Sequence, residues 1–303
     1  MPPETTTPPA APQPADVIHD IGYRHYDGPR LGRGYARRSL FSQSLRGAYG
    51  LGRSAKSKVL PMLLYGVIAA PAVIIVAVAI FTKADKLPLD YTQYALFLST
   101  AIGIYLAAMA PVSVSRDLRF KSVPLYFSRP LERSDYVWAK YAALSCALFI
   151  LTATPVLVLY IGALLAKLDF ADQTKGFAQG LVSVALLSLL YAAIGLLIAA
   201  LTPRRGFGVA AVIGTLWVPY AAVSAVQAVA WDQGNHGAVG WIGVFAPLGL
   251  IDNIQATFLG GTSNAPGGLD PSRGAAAVSL LVLFAVVAGC LALLLRRYRK
   301  AGL

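Results

Sequence analysis

Charge is what this sequence has least of: Asp, Glu, Lys and Arg together supply 13% of its 303 residues, where ordinary soluble domains carry about a quarter. Hydrophobic residues reach 56%, more than a soluble fold of this size can hide, so a soluble globular protein is excluded. Cysteine is scarce as well. Cys146 and Cys290 each lie inside an apolar run, which argues against a disulfide framework and fits small core side chains. Histidine occurs three times, at His19, His25 and His236, in terminal or loop segments and without His-Glu-x-x-His spacing, so a zinc-peptidase site of that type is excluded. A Gly-x-Ser-x-Gly elbow is also missing, which removes the sequence signal of an α/β-hydrolase. Residues 1–58 are Pro-rich and polar, then strongly basic, with no short apolar core ending in a cleavage site; a secretory signal is not expected.

What the chain does contain is a series of long uncharged runs. Residues 59–82, 91–115, 141–166, 176–203, 206–231 and 274–295 hold no Lys, Arg, Asp or Glu. Each is long enough for a helix to cross a hydrocarbon core about 30 Å thick. Backbone polar groups in hydrocarbon must bond internally, which leaves helices or closed barrels. Barrel strands alternate over roughly ten residues, and these runs are continuous, so helices are expected. Residues 237–251 are apolar but only fifteen long, are interrupted by Pro247 and run into Asp252 and Asn253. That length suits a re-entrant or interfacial element rather than a crossing.

Basic residues supply an orientation. With the N-terminus in the cytoplasm, Lys and Arg number nine in residues 1–58, six in 116–140, two in 204–205 and four in 296–300, which is 21 of 26. Lys83, Lys86, Lys167, Lys175 and Arg273 remain for the other side. Positive charge is retained in the cytoplasm, and six spans satisfy the bias throughout. A seventh span at 237–251 would place Arg296, Arg297, Arg299 and Lys300 outside. The expected fold is therefore all-α and integral to a membrane, with six transmembrane helices and both termini cytoplasmic. Residues 1–58 form a cytoplasmic tail and surface helix, and 59–303 a six-helix domain. Membrane orientation accounts for the basic excess, and no nucleic-acid partner is expected.

The spans carry no ionisable acid or base apart from tyrosines, which weakens a proton- or ion-coupled secondary transporter, although a backbone-lined site is still compatible. Gln179 and Gln227 are the notable polar groups within them and read first as interhelical hydrogen bonders. A polytopic membrane enzyme has no positive sequence support. Gly50-Leu51-Gly52-Arg53-Ser54-Ala55-Lys56-Ser57 is close to a phosphate-binding loop, but Ala55 replaces the second glycine and no strand context precedes it. If ATP is used, another subunit binds it.

Residues 39–58 place Leu40, Phe41, Leu45, Ala48 and Tyr49 on one helical face, with Arg38, Arg46, Arg53 and Lys56 around the rest. Two readings fit: an amphipathic helix on an anionic leaflet, or a basic loop obeying the orientation rule. Gly47, Gly50 and Gly52 each cost about 1 kcal/mol relative to Ala in a helix, so the helix is expected to be short or broken. In the 116–140 segment, Val123, Leu125, Tyr126, Phe127 and Leu131 form an apolar cluster rimmed by charge. It reads equally as a partner surface and as packing onto the protein's own helix ends.

That loop, with Ser115-Arg116-Asp117-Leu118-Arg119, Val123-Pro124-Leu125-Tyr126-Phe127-Ser128-Arg129-Pro130-Leu131 and Arg133-Ser134-Asp135-Tyr136-Val137-Trp138-Ala139-Lys140, resembles the segment between spans two and three of type-2 ABC exporter permeases. Gly22-Tyr23-Arg24-His25-Tyr26-Asp27-Gly28-Pro29-Arg30-Leu31-Gly32-Arg33 is similar to an entry motif of bacterial, especially actinobacterial-type, members. Ala246-Pro247-Leu248-Gly249-Leu250-Ile251-Asp252-Asn253 is similar to the segment ahead of their last span. The resemblance covers about residues 18–300. It implies a multi-pass permease of a bacterial plasma membrane, without its own ATP site, paired with a second permease chain, the same or homologous. Two separate ABC ATPase subunits would carry ATP and Mg, and this chain would bind no cofactor.

The resemblance further implies an amphipathic connecting helix with Leu40, Phe41, Leu45 and Arg46, and a coupling helix with Arg116, Asp117, Leu125, Tyr126, Phe127 and Arg129. Short extracellular re-entrant helices would precede span six. Relatives often carry an acidic pair early in the coupling loop, whereas Asp117 stands alone here among Arg116, Arg119 and Lys121. The cargo would be lipophilic or amphipathic, on a path along spans two and five beside Tyr105, Trp217 and Tyr220. Pro111, Pro155 and Pro219 lie inside spans and read either as hinges or as tolerated kinks. The rival readings are a secondary transporter and a membrane enzyme, neither with an ATPase partner; a non-transporting subunit of an ABC-like assembly is a weaker third.

Overall fold

A computed structural model describes residues 28, 31–52, 54–83, 86–119, 126, 131–202 and 204–300. The chain divides into two units, Met1–Leu31 and Gly32–Leu303, and the helices belong to the second. The described residues of that unit are helical or irregular, with no strand. In chain order the helices are α1 (Arg33–Ala48), α2 (Ala55–Thr82), α3 (Tyr91–Phe97), α4 (Ser99–Ser113), α5 (Ser115–Arg119), α6 (Arg133–Leu165), α7 (Phe170–Leu201), α8 (Arg205–Asp232), α9 (His236–Gly243), α10 (Pro247–Phe258) and α11 (Arg273–Lys300).

Five of these, α2, α6, α7, α8 and α11, are long and apolar enough to cross a membrane, and a sixth if the bent pair α3–α4 is one span. They coincide with the six uncharged runs and make this a multi-pass, all-helical membrane architecture. The helices outlast the runs. At 1.5 Å per residue the 33 residues of α6 extend about 50 Å, well beyond a hydrocarbon core of about 30 Å. Its first two turns, Arg133 to Lys140, are the polar overhang.

The central helix is α7, with 67% of its apolar window buried, against 17% for α8 and 22% for α2. It packs against α6, α11, α3, α4, α8 and α10. Gly195 lets α4 approach it: a Cβ there would lie 2.6 Å from Leu106 Cδ1, and Leu106 is fully buried. The exposed faces of α2 and α8 carry Val73, Ile74, Phe81, Val218 and Val229, side chains that a lipid environment solvates without cost.

The second uncharged run does not form a straight helix. It breaks at Leu98 and bends by 59°, because α3 is tied to other elements. The Tyr91 hydroxyl donates to Gln173 of α7 at 2.6 Å, and the Gln93 amide donates to the Thr262 carbonyl at 3.0 Å. Tyr94 enters the backbone ladder of α2 one residue after Pro71, donating to the Ile68 carbonyl and accepting from the Ala72 amide at 3.1 Å. A hydroxyl inserted beside a proline satisfies the groups such a site loosens.

Helix α1 ends at Ala48, and Gly50 and Gly52, at φ +68° and +80°, turn the chain into α2. The expected 39–58 helix is thus shifted and broken at its glycines, as the glycine content implies. In the 237–251 stretch Pro247 does not merely interrupt. It opens α10, where its fixed φ and missing N–H suit a first helical position, leaving two short helices.

Candidate functional site

Two regions concentrate polar groups, one at each end of the bundle. The first lies where α1, α5, the start of α6 and the end of α11 meet. Asp135 is the third residue of α6 and accepts from the Glu132 amide at 3.2 Å, forming a capping box with Glu132. The same carboxylate receives Arg33 of α1, Nε to Oδ2 at 2.6 Å and a terminal nitrogen to Oδ1 at 3.1 Å. Arg33 also pairs with Glu132, and Arg37 stands 4.0 Å from Asp135. Hydrogen bonds that Arg33 donates to these two carboxylates, Asp135 first, push its guanidinium further towards its charged form.

One turn along α6, Lys140 Nζ sits 3.1 Å from Asp117 Oδ2 and donates to the Ser113 carbonyl at 2.8 Å. The Tyr136 hydroxyl donates to the same Asp117 oxygen at 2.7 Å. Tyr136 packs with Tyr126, ring centroids 5.5 Å apart, and with Tyr298 of α11 at 5.0 Å. Arg133 donates to the Arg299 carbonyl at 2.7 Å, and Ser115 to Ala199 of α7 at 2.7 Å. Both ends of the 116–140 segment are therefore fastened to α1, α7 and α11.

Of the residues expected to couple to a partner, Asp117 and Tyr126 join this cluster, and Arg116 stands in α5. Leu125, Phe127 and Arg129 lie outside the described residues. In α1, Leu40 is buried, Phe41 and Leu45 are half-buried, and Arg46 is exposed. The apolar side packs on α6 and α4, so a protein surface receives it. The near-phosphate-loop at Gly50 follows a helix, not the strand such a loop needs.

The second region is a cavity of about 520 Å³ at the opposite end, between α3, α8, α10 and residues 264–266. Its apolar lining includes Leu96, Phe97, Val223 and Leu248, and its polar lining includes Gln93, Ser99, Tyr220, Ser224, Gln227, Asp252 and Asn253. The polar groups are held from behind. Gln227 donates to the Val239 carbonyl at 2.9 Å, and Asn253 to the Gly240 carbonyl at 2.8 Å and Ser279 at 3.0 Å. Asp252 accepts from Ser263 at 2.9 Å and from the Asn264 amide at 3.0 and 3.1 Å. Burial pushes its carboxyl above the ordinary carboxylate range, against the opposing pull of those hydrogen bonds.

Among the three residues expected along a substrate path, Tyr220 lines this cavity. Trp217 lies one turn away on α8, its ring perpendicular to Tyr220 at 6.0 Å. Tyr105 is fully buried and donates to the Ala48 carbonyl at 3.1 Å, joining α4 to the end of α1. In the sequence Asp252 and Asn253 only close an apolar stretch and the segment similar to the one ahead of a last permease span. Their site character comes from residues 263–264 folding back over α10. Among the described residues no three His, Cys, Asp or Glu side chains are grouped to hold a metal ion. No family model matches the chain, and no curated protein is significantly similar to it.

Proposed function

We propose that the chain is the membrane-spanning permease of an ABC transporter in a bacterial plasma membrane. It exports a lipophilic or amphipathic substrate, powered by ATP hydrolysis on two separate ATPase subunits and paired with a second permease chain. The observation that carries this reading is the fastening of the 116–140 segment. A loop that only joined two spans would need no buried ion pair at its base. Here Asp117, Tyr136 and Lys140 lock one end, and Asp135 ties the other to α1 through Arg33. Force applied to such a loop moves α1, α6 and α11 together. In this reading both termini are cytoplasmic, the polar cluster faces the ATPase, and α9–α10 is a re-entrant pair on the outer side.

The test is co-purification from gently solubilised native membranes, with and without Phe127→Asp. A stoichiometric ABC-type ATPase bound to the wild type and lost from a monodisperse variant supports the reading. Absence of any ATPase under several mild conditions rejects it. The buried Asp252 beside a cavity favours one alternative, a secondary transporter; substrate movement that uncouplers abolish, and that loss of an ATPase does not, would select it.

A further inference from the structure

The cavity between α3, α8 and α10 combines features that specify a ligand class. Its volume of about 520 Å³ lies in the range of drug-sized sites. Among the described residues that line it there is no Lys, Arg or His. The one acid, Asp252, is 8% exposed and its oxygens are occupied by Ser263, Asn264 and Gln255. It therefore staples the 263–264 turn to α10 and presents no open ion-pairing group. Three lining hydroxyls, those of Ser99, Tyr220 and Ser224, make no hydrogen bond among the described residues, and Tyr220 and Ser224 lie on one face of α8. The same cavity is lined by the apolar side chains of Leu96, Phe97 and Leu248.

We propose that this cavity binds a neutral amphipathic molecule, its hydroxyl- or amide-bearing end at Tyr220 and Ser224 and its apolar end against Leu96, Phe97 and Leu248. A charged ligand would be desolvated with no partner of opposite sign, which is costly. A purely apolar one would leave both hydroxyls unpaired. The cavity deepens the permease reading by naming the class of cargo at that end of the bundle, and rests on it only for that role.

The test uses the purified chain in nanodiscs, with Cys146 and Cys290 changed to alanine and Ala265→Cys as a reporter in the cavity wall. The rate of N-ethylmaleimide labelling is measured with hexyl glucoside, hexyltrimethylammonium and hexanoate, three probes with a short alkyl tail in common. Hexyl glucoside is expected to slow labelling saturably, by about threefold or more, while the two charged probes do not. Tyr220→Phe combined with Ser224→Val should raise the half-protecting concentration by about tenfold, as two lost hydrogen bonds imply. The proposal is overturned by no protection from hexyl glucoside, by equal protection from a charged probe, by protection indifferent to the double variant, or by a reporter thiol that no maleimide reaches. No ATPase is present in the assay, so failure here leaves the partner reading standing. Failure of co-purification likewise leaves the cavity result intact.

Discussion

At the scale of single residues, the most consequential contact is the one between Lys140 and Asp117. Both are largely buried, with side chains 9% and 17% exposed, and removing one takes an opposite charge away from the other. Lys140→Met is expected to destabilise the protein by about 3 kcal/mol, read as a lowered melting temperature in detergent. Adding Asp117→Asn should recover part of the loss, because the buried carboxylate that lost a positive neighbour is then neutral. If the double variant melts below the single one, the pair is not what Lys140 serves. Asp252 gives a prediction of opposite electrostatic character. Burial raises its carboxyl above the ordinary value near 4, so the folded state holds the proton more tightly than the unfolded state does. Stability from this group is therefore full below the ordinary value and declines as pH rises through the raised one. Melting curves between pH 4 and 8 should show the wild type losing stability relative to Asp252→Asn as pH increases. A constant difference would mean the carboxyl is ionised throughout.

At the scale of elements, the six uncharged runs locate the long helices, because a bilayer selects for uncharged length and little else. They do not locate helix ends. Helix α6 begins at Arg133, eight residues before its uncharged run, since a capping box and a pair with α1 extend it past the apolar stretch. Nor can they locate the break at Leu98, whose causes are partners 82 and 169 residues away in the chain. The turn between α1 and α2 is legible in its glycines, and it supports a paired test. Gly50 and Gly52 both have positive φ, but a Cβ at Gly50 would sit 2.3 Å from the Ser57 carbonyl oxygen, whereas Gly52 has open space around it. Gly52→Ala carries conformational strain alone, about 1 kcal/mol. Gly50→Ala adds a backbone clash that separates α1 from α2, for a total of about 3 kcal/mol. Equal losses in melting temperature would show that the close approach of Gly50 to Ser57 does not hold the corner.

At the scale of the whole molecule, the polar cluster and the cavity are set at opposite ends of one helical bundle, and α7 and α8 run between them. The cluster is partly legible in the sequence, since Asp117 and Tyr126 belong to a loop whose apolar residues are rimmed by charge. The cavity is not, because burial of Asp252 depends on a turn at Ser263 and Asn264 that no local pattern announces. The proposed orientation of the two ends rests on the basic residues. Arg33, Arg133, Lys140 and Arg299 gather at the cluster end, while Trp231 and His236 pack with tilted rings, centroids 4.2 Å apart, near the other. In the proposed orientation, with positive charge retained in the cytoplasm, the cluster lies inside and the cavity outside. In a cysteine-free background, single cysteines at Asn235 and Asp270 should therefore react with a membrane-impermeant maleimide in intact cells. Cysteines at Arg204 and Arg299 should react only after permeabilisation. The reagent separates six crossings from seven, because a crossing within 237–251 would bring Arg299 and Asp270 to the sides opposite those expected while leaving Asn235 unchanged. Labelling of Arg299→Cys in intact cells, with Asn235→Cys also labelled, would establish that α9 or α10 spans the bilayer and would move the end of α11 away from any partner of the 116–140 loop.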